Sequence, residues 1–99
     1  MEIKKTITDY TGVLTLSGRL DTVTSPKLQE ALAELMSSSD KIELDFSEIG
    51  YVSSAGLRVL LLGHKNASAS GKTMTLKNVL PEVMEVFEIT GFLDILTII

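Results

Sequence analysis

The sequence predicts an α/β domain with a mixed, mostly parallel β-sheet and helices packed on one face. Short segments in which apolar and polar residues alternate are followed along the chain by segments with helical periodicity. This order is typical of strands joined by crossover helices. The first two strand-like segments are separated only by a turn, so they should form an antiparallel hairpin. A chain of 99 residues, 44% of them hydrophobic, fits a single domain with one core, spanning residues 1–99.

The amino-terminal part predicts the hairpin and the first crossover helix. Residues 3–7 alternate weakly in type, as an edge strand does, and residues 13–17 read as the second strand. Ser25 suits the N-cap of a helix and Pro26 its first position. The apolar residues that follow lie on one helical face at the spacing i, i+3, i+4, i+7, i+8: Leu28, Ala31, Leu32, Leu35 and Met36.

The central part predicts a third strand over residues 42–46, which alternate cleanly, then a short loop and a second helix. Either Ser53 or Ser54 can cap this helix, which should run from about residue 55 to about residue 70. The remaining predicted elements are a fourth strand, a third helix and a final strand, over residues 73–77, 81–91 and 95–99.

Composition excludes several classes of function. There is no cysteine, so disulfides and zinc–thiolate sites are excluded. The net charge of −4 and the lack of a basic cluster argue against direct binding of nucleic acid. No run approaches the roughly 20 apolar residues that cross a bilayer, and the first residues do not read as a signal peptide. We therefore expect a cytoplasmic, non-inserted domain with a protein partner.

The sequence also offers no catalytic site and no cofactor or metal site. His64 is the one histidine, and ten helical residues place it about 15 Å from Ser54, too far to act as a base. A hydrolase using Ser54 is therefore disfavoured. One histidine without cysteine gives no transition-metal site, and neither common glycine-rich phosphate-binding motif occurs.

Two segments resemble the STAS family, which is named for sulfate transporters and anti-sigma factor antagonists. Residues 44–60 resemble its signature: a strand ending in Asp-apolar-Ser, a short loop, and then Asp or Ser, a serine, Ala, Ser or Thr, and Gly-Leu at the start of a helix. Residues 18–21, Gly-Arg-Leu-Asp, resemble the Gly-x-Leu-Asp element before the first helix. The two segments occur in the family's order, and the predicted elements fit the family across nearly the whole chain.

The resemblance implies a switch between protein partners. In such antagonists the unmodified protein binds an anti-sigma factor that is also an ATP-dependent serine kinase, which frees a sigma factor. Phosphorylation of the serine before Ala-Gly-Leu or Ser-Gly-Leu ends this binding, and a serine phosphatase restores it. By position this serine is Ser54, and the partner-binding residues are Asp21, Thr22, Ser53, Ser54 and Gly56.

Two of these residues keep a structural interpretation beside the functional one. Asp21 can organise a turn or can contact the kinase. Gly56, unfavourable inside a helix, can either leave room for a partner or allow close packing on the sheet; the first interpretation is preferred. An alternative for the whole chain is a STAS subunit of a bacterial membrane lipid-transport complex that is not phosphorylated, with Ser54 as a cap or packing residue.

Overall fold

A computed structural model describes residues 1–99 and shows the predicted order of elements. The strands are β1 (Glu2–Thr8), β2 (Thr11–Leu20), β3 (Lys41–Val52), β4 (Thr73–Lys77) and β5 (Thr97–Ile98). The helices are α1 (Ser25–Ser38), α2 (Ser54–Ala69) and α3 (Pro81–Thr90), and a short 3-10 helix, Phe92–Asp94, precedes β5. None of the helices has the length and apolar character that crossing a membrane requires.

The five strands form one sheet in the order β1-β2-β3-β4-β5. The β1–β2 pair is antiparallel and the other three pairs are parallel, which confirms the predicted mixed sheet. Each helix connects neighbouring parallel strands, and every connection steps in the same direction. Because such crossovers are right-handed, all three helices lie on the same face.

The core lies between this face and the helices. Inward-pointing residues of the central strands are fully buried, among them Leu14 and Leu44, and the rings of Phe46 and Phe87 tie α3 to β3 with their centres 6.4 Å apart. The other face of the sheet is polar and carries an ion pair between Lys77 and Glu43 at 3.5 Å. Strand alternation therefore separates a covered apolar face from an open polar one.

Strand β3 is longer than the sequence predicts, because the loop expected after residue 46 continues the strand. Its pairing with β2 shifts register twice, between Thr15 and Ser17 and between Gly18 and Arg19. Each shift places one extra residue on β3, as a β-bulge does, so the alternation that marks a strand is interrupted. Despite the bulges, β2 and β3 stay paired to Leu20 and Val52. Both strands consequently end next to the start of α2.

Two further boundary predictions are wrong, at the start of α1 and at the last strand. Ser25 is the first residue of α1 rather than its N-cap; it is buried, and its backbone N–H and its hydroxyl both donate to the Asp21 carbonyl. The hydroxyl thus serves as a donor to the preceding loop and does not accept from the helix. The last strand is only Thr97–Ile98, because Phe92–Asp94 coil into a 3-10 helix after Gly91 ends α3 in the left-handed conformation.

Candidate functional site

The β2–α1 loop and the start of α2 lie side by side at one edge of the sheet. The Ser53 N–H donates to the Leu20 carbonyl at 2.8 Å, so the last residue of β2 is joined to the residue that precedes α2. This edge contains the carboxyl ends of parallel strands, where open α/β sheets commonly place functional loops. The structure therefore brings the loop of Asp21 and Thr22 next to Ser53 and Ser54, the arrangement that the family resemblance implies.

Ser53 is the N-cap of α2. Its backbone is extended, with φ −86° and ψ 174°, and its Oγ accepts a hydrogen bond from the Gly56 N–H at 3.3 Å. Its carbonyl accepts the N–H of Leu57 at 2.9 Å. The sequence left open which of the two serines caps the helix, and the structure assigns the cap to Ser53.

Ser54 is consequently not needed to cap the helix. It is the first residue of α2, its side chain is exposed, and its hydroxyl makes no hydrogen bond within the protein. The first turn of α2 contains no acidic side chain. Because the free N–H groups and the dipole at a helix start favour negative charge, a phosphate on Ser54 is compatible with the folded domain.

Gly56 faces the core, which corrects the expectation that its missing side chain makes room for a partner. A Cβ at this position would lie 2.7 Å from Leu20 Cγ and 3.0 Å from both the Leu20 carbonyl oxygen and Val52 Cγ1. Gly56 itself is buried. The residue is glycine because α2 begins in close contact with the ends of β2 and β3.

Asp21 organises the β2–α1 loop. Its Oδ1 accepts the backbone N–H groups of Val23 and Thr24, both at 3.0 Å, and the Thr24 hydroxyl at 3.2 Å. The bond from the Thr24 N–H, with help from the other donors, outweighs the opposing effect of desolvation and lowers the pKa of Asp21 below its ordinary value. The turn-forming role is therefore present, and contact with a kinase stays a prediction.

Exposed groups beside this loop form a rim that the sequence did not predict. The Arg19 guanidinium lies over the Tyr51 ring, 4.0 Å from its centre, and Arg19 Nε is 3.7 Å from Asp21 Oδ2. Val23 is 85% exposed, and Thr22 is exposed beside it. Arginine and aromatic residues are enriched in protein–protein interfaces. The contact between Arg19 and Tyr51 was missed because the two residues are register partners only once β3 extends past residue 46.

The Asp45-Phe46-Ser47 part of the family signature has a structural role. Asp45 Oδ1 accepts the Ser47 N–H at 3.0 Å and the Asn78 side-chain amide at 3.3 Å, which ties the first bulge of β3 to the end of β4. Burial raises the pKa of Asp45, but these hydrogen bonds and the charge of Lys77 outweigh it, so the net pKa lies below the ordinary value.

The described side chains do not assemble a catalytic or metal site around Ser54. His64 lies ten residues further along α2, half-buried, and its Nδ1 has no hydrogen-bond partner. No group of three His, Cys, Asp or Glu side chains is placed to hold a metal ion. This edge of a small α/β domain thus presents an accessible hydroxyl, an ordered loop and an aromatic–arginine pair.

Comparison with known proteins gives the family. Residues 3–97 match the family model described as "Mlab, STAS domain". The chain is 33% identical over 100 residues to the anti-sigma-B factor antagonist of Listeria monocytogenes, an alignment covering 99% of this chain and 86% of that protein. It is 43% identical over 77 residues to BtrV of Bordetella bronchiseptica, covering 74% of this chain and 66% of that protein. The chain therefore belongs to the STAS domain family.

Solved structures agree on the fold. The anti-sigma factor antagonist SpoIIAA in its unphosphorylated form superposes with a TM-score of 0.83 at 20% identity, covering 99% of this chain and 88% of that one. Phosphorylated SpoIIAA from Bacillus gives a TM-score of 0.77 at 19% identity, covering 99% and 91%. At these identities the likeness concerns the fold, and the roles of individual residues must be argued from this chain.

Proposed function

We propose that this chain is an anti-sigma factor antagonist, a protein-interaction switch that binds an anti-sigma factor with serine kinase activity and is turned off by phosphorylation at Ser54. The observation that carries the proposal is that the two serines at the start of α2 have different roles. Ser53 caps the helix, whereas the Ser54 hydroxyl is exposed and unbonded beside the Asp21 loop. A modification of Ser54 can therefore change the surface without removing a bond that holds the fold.

In the unmodified state the rim would dock on the partner. Val23, Tyr51 and Arg19 provide exposed apolar and aromatic area beside the Asp21 loop, which adjoins the start of α2, and Asp21 fixes the shape of that loop. Docking would cover Ser54 and bring its hydroxyl to the ATP of the kinase. The domain would contribute the acceptor hydroxyl, and the kinase the catalytic groups.

Phosphorylation would end binding through charge. A phosphate adds about −1.5 to −2 charge units near neutral pH. Docking would then strip water from that charge, and an uncompensated buried charge is far more costly than any gain at the helix start. The fold would persist because the start of α2 favours a negative group by about 0.3–1 kcal/mol.

The partners follow from the same proposal. They are the anti-sigma factor kinase and a serine phosphatase that would restore the hydroxyl, and the switch would act in the cytoplasm. Support comes from the relatives: the Listeria protein is described as an anti-sigma-B factor antagonist, and SpoIIAA has been observed in phosphorylated and unphosphorylated forms.

A second candidate is a non-phosphorylated STAS subunit of a bacterial membrane lipid-transport complex. The description of the family model that matches residues 3–97 names Mlab and does not name an antagonist, which favours considering this candidate. In that case Ser54 would stay unmodified, and the chain would co-purify with a permease and an ATPase and not with a kinase.

Calorimetric binding of the Ser54→Asp and Ser54→Ala variants to the anti-sigma factor kinase from the same genome tests the proposal. Ser54→Asp should lose most of its affinity while circular dichroism shows an intact fold, and Ser54→Ala should bind like the wild type. Ser68→Asp is the matched control, because Ser68 is exposed on the same helix about 21 Å further along.

The outcomes separate the candidates. Unchanged binding by both aspartate variants would contradict the charge mechanism, and together with recovery of a permease and an ATPase it would favour the transport subunit. Equal loss in Ser54→Asp and Ser68→Asp would mean that net charge, and not the position of Ser54, controls binding. Unfolding of Ser54→Asp would show that the switch acts on the fold.

A further inference from the structure

We propose that Arg58 is the intramolecular counter-ion of the phosphate on Ser54. The inference rests on the proposed function, since it concerns the modified form of the same site. It assigns a role to a residue outside the partner-binding set inferred from the family resemblance, and the role concerns how the phosphate is held and how fully it ionises.

Position on the helix places the two groups together. Arg58 follows Ser54 by four residues in α2, and both side chains are exposed. Residues at i and i+4 are neighbours on one helical face, separated by about 6 Å along the axis. An acidic group that precedes a basic group by four residues is the more favourable order for such a pair. A phosphoserine at position 54 would therefore lie within reach of the Arg58 guanidinium.

Arg58 has no other partner in the unmodified domain. It takes part in none of the three ion pairs, in no side-chain hydrogen bond and in no stacking contact. Arg19, the other arginine near this edge, differs because it lies over Tyr51 and beside Asp21. The charges of Arg19 and Asp21 balance each other. Arg58 is therefore the cation without a partner on the face of α2 that carries Ser54.

The helix dipole adds a second reason. Arg58 is the fifth residue of α2, near the positive end, whereas the dipole favours cations in the last turn. No acidic side chain in the first turn offsets this placement. Phosphorylation would supply the missing negative charge, so Arg58 gains a partner only in the modified state.

The pairing has a consequence for the switch. A serine phosphate loses its second proton with a pKa near 6, so part of the population carries a single negative charge at slightly acid pH. A neighbouring guanidinium favours the doubly charged form and lowers that pKa. Arg58 would thereby keep the phosphate doubly charged over a wider pH range. A larger fraction of the phosphorylated protein would then be unable to bind the partner.

The experiment is a ³¹P NMR titration of the full chain carrying phosphoserine at position 54, installed during protein synthesis. The samples are the wild type, Arg58→Gln, Arg58→Lys, and Lys65→Gln as the matched control, because Lys65 is an exposed cation of the same helix about 16 Å from Ser54. We expect Arg58→Gln to raise the second pKa of the phosphate by about 0.3 unit at low salt, the size of an i, i+4 ion pair. Arg58→Lys should retain most of the effect, and Lys65→Gln should change the pKa much less.

Equal shifts in Arg58→Gln and Lys65→Gln would overturn the proposal, because net charge alone would then explain them. An unchanged pKa in Arg58→Gln would overturn it as well. Because the phosphate is installed without a kinase, either failure would leave the partner switch standing. Failure of the partner switch would instead be seen in the binding measurements on the Ser54 variants.

Discussion

The turns built on Asp21 and on Asp45 use the same local chemistry in two different surroundings. In each, the carboxylate Oδ1 accepts the N–H of the residue two positions further on, at 3.0 Å, and each carboxyl has a lowered pKa. Asp45 holds a bulge of β3 to Asn78, in the middle of the β2–β3–β4 part of the sheet. Asp21 shapes an exposed loop that touches the start of α2.

The carboxylate itself does not distinguish the functional turn from the structural one; the neighbouring groups do. Beside Asp21 lie an exposed valine, an arginine stacked on a tyrosine and a serine hydroxyl without a partner. Beside Asp45 lie strand residues and the Lys77–Glu43 pair, which are bonded among themselves. The site is thus defined by the exposed groups that surround the Asp21 turn.

The largest expected effect concerns the packing that joins the Asp21 loop to α2. Gly56→Ala should lower the free energy of unfolding by about 2 kcal/mol, because its Cβ would meet Leu20 Cγ at 2.7 Å and the immobile Leu20 carbonyl at 3.0 Å. Gly50→Ala is the control, since no heavy atom beyond its own residue and its two chain neighbours lies within 4 Å of its Cβ position, and it should change stability by less than about 0.5 kcal/mol. Urea denaturation measures the stability of both variants. Equal stabilities of Gly56→Ala and Gly50→Ala would contradict the tight packing of the helix start.

The next effect tests the comparison of the two turns directly. Asp21→Asn should weaken binding to the anti-sigma factor kinase by about tenfold, as loss of one interface contact of 1.4 kcal/mol does. Asp45→Asn makes the same chemical change about 20 Å from Asp21 along the sheet, and it should leave the affinity for the kinase unchanged. Calorimetric titration of both variants decides it: equal losses, or none at Asp21, would return Asp21 to a purely structural role.

A smaller effect separates the two serines. Ser53→Ala should cost about 1 kcal/mol of stability, because it removes the cap on the Gly56 N–H. Ser54→Ala should cost less than about 0.5 kcal/mol, since the Ser54 hydroxyl has no bond to lose. Thermal or urea unfolding of the pair measures the difference, and a larger cost for Ser54→Ala would reverse the assignment of the cap.

Much of the fold was predictable because its signals are local. Helical spacing predicted α1, Pro81 and Gly91 predicted the limits of α3, and alternation predicted β4 at its observed bounds. The second half of β3 was not predictable in this way. Its buried residues Phe46, Ile49 and Val52 occur every third position because bulges interrupt the alternation, and bulges depend on the partner strand.

The site was predictable as a set of positions and not as a set of contacts. The family signature placed Ser54 and Asp21 at one edge, and the hydrogen bond between Ser53 and Leu20 confirms that they are neighbours. Which serine is the cap depends on backbone angles that the sequence does not state. The inward direction of Gly56 likewise depends on how closely α2 approaches Leu20.

Peptide mapping by mass spectrometry, after incubation with the anti-sigma factor kinase and ATP, shows directly which serine accepts the phosphate. We expect phosphate on Ser54 alone in the wild type, no phosphate in Ser54→Ala, and retained labelling of Ser54 in Ser53→Ala, whose helix start is weakened but whose acceptor is unchanged. Phosphate on Ser53 in the wild type, with Ser54 unmodified, would contradict the division between a capping serine and a switching serine.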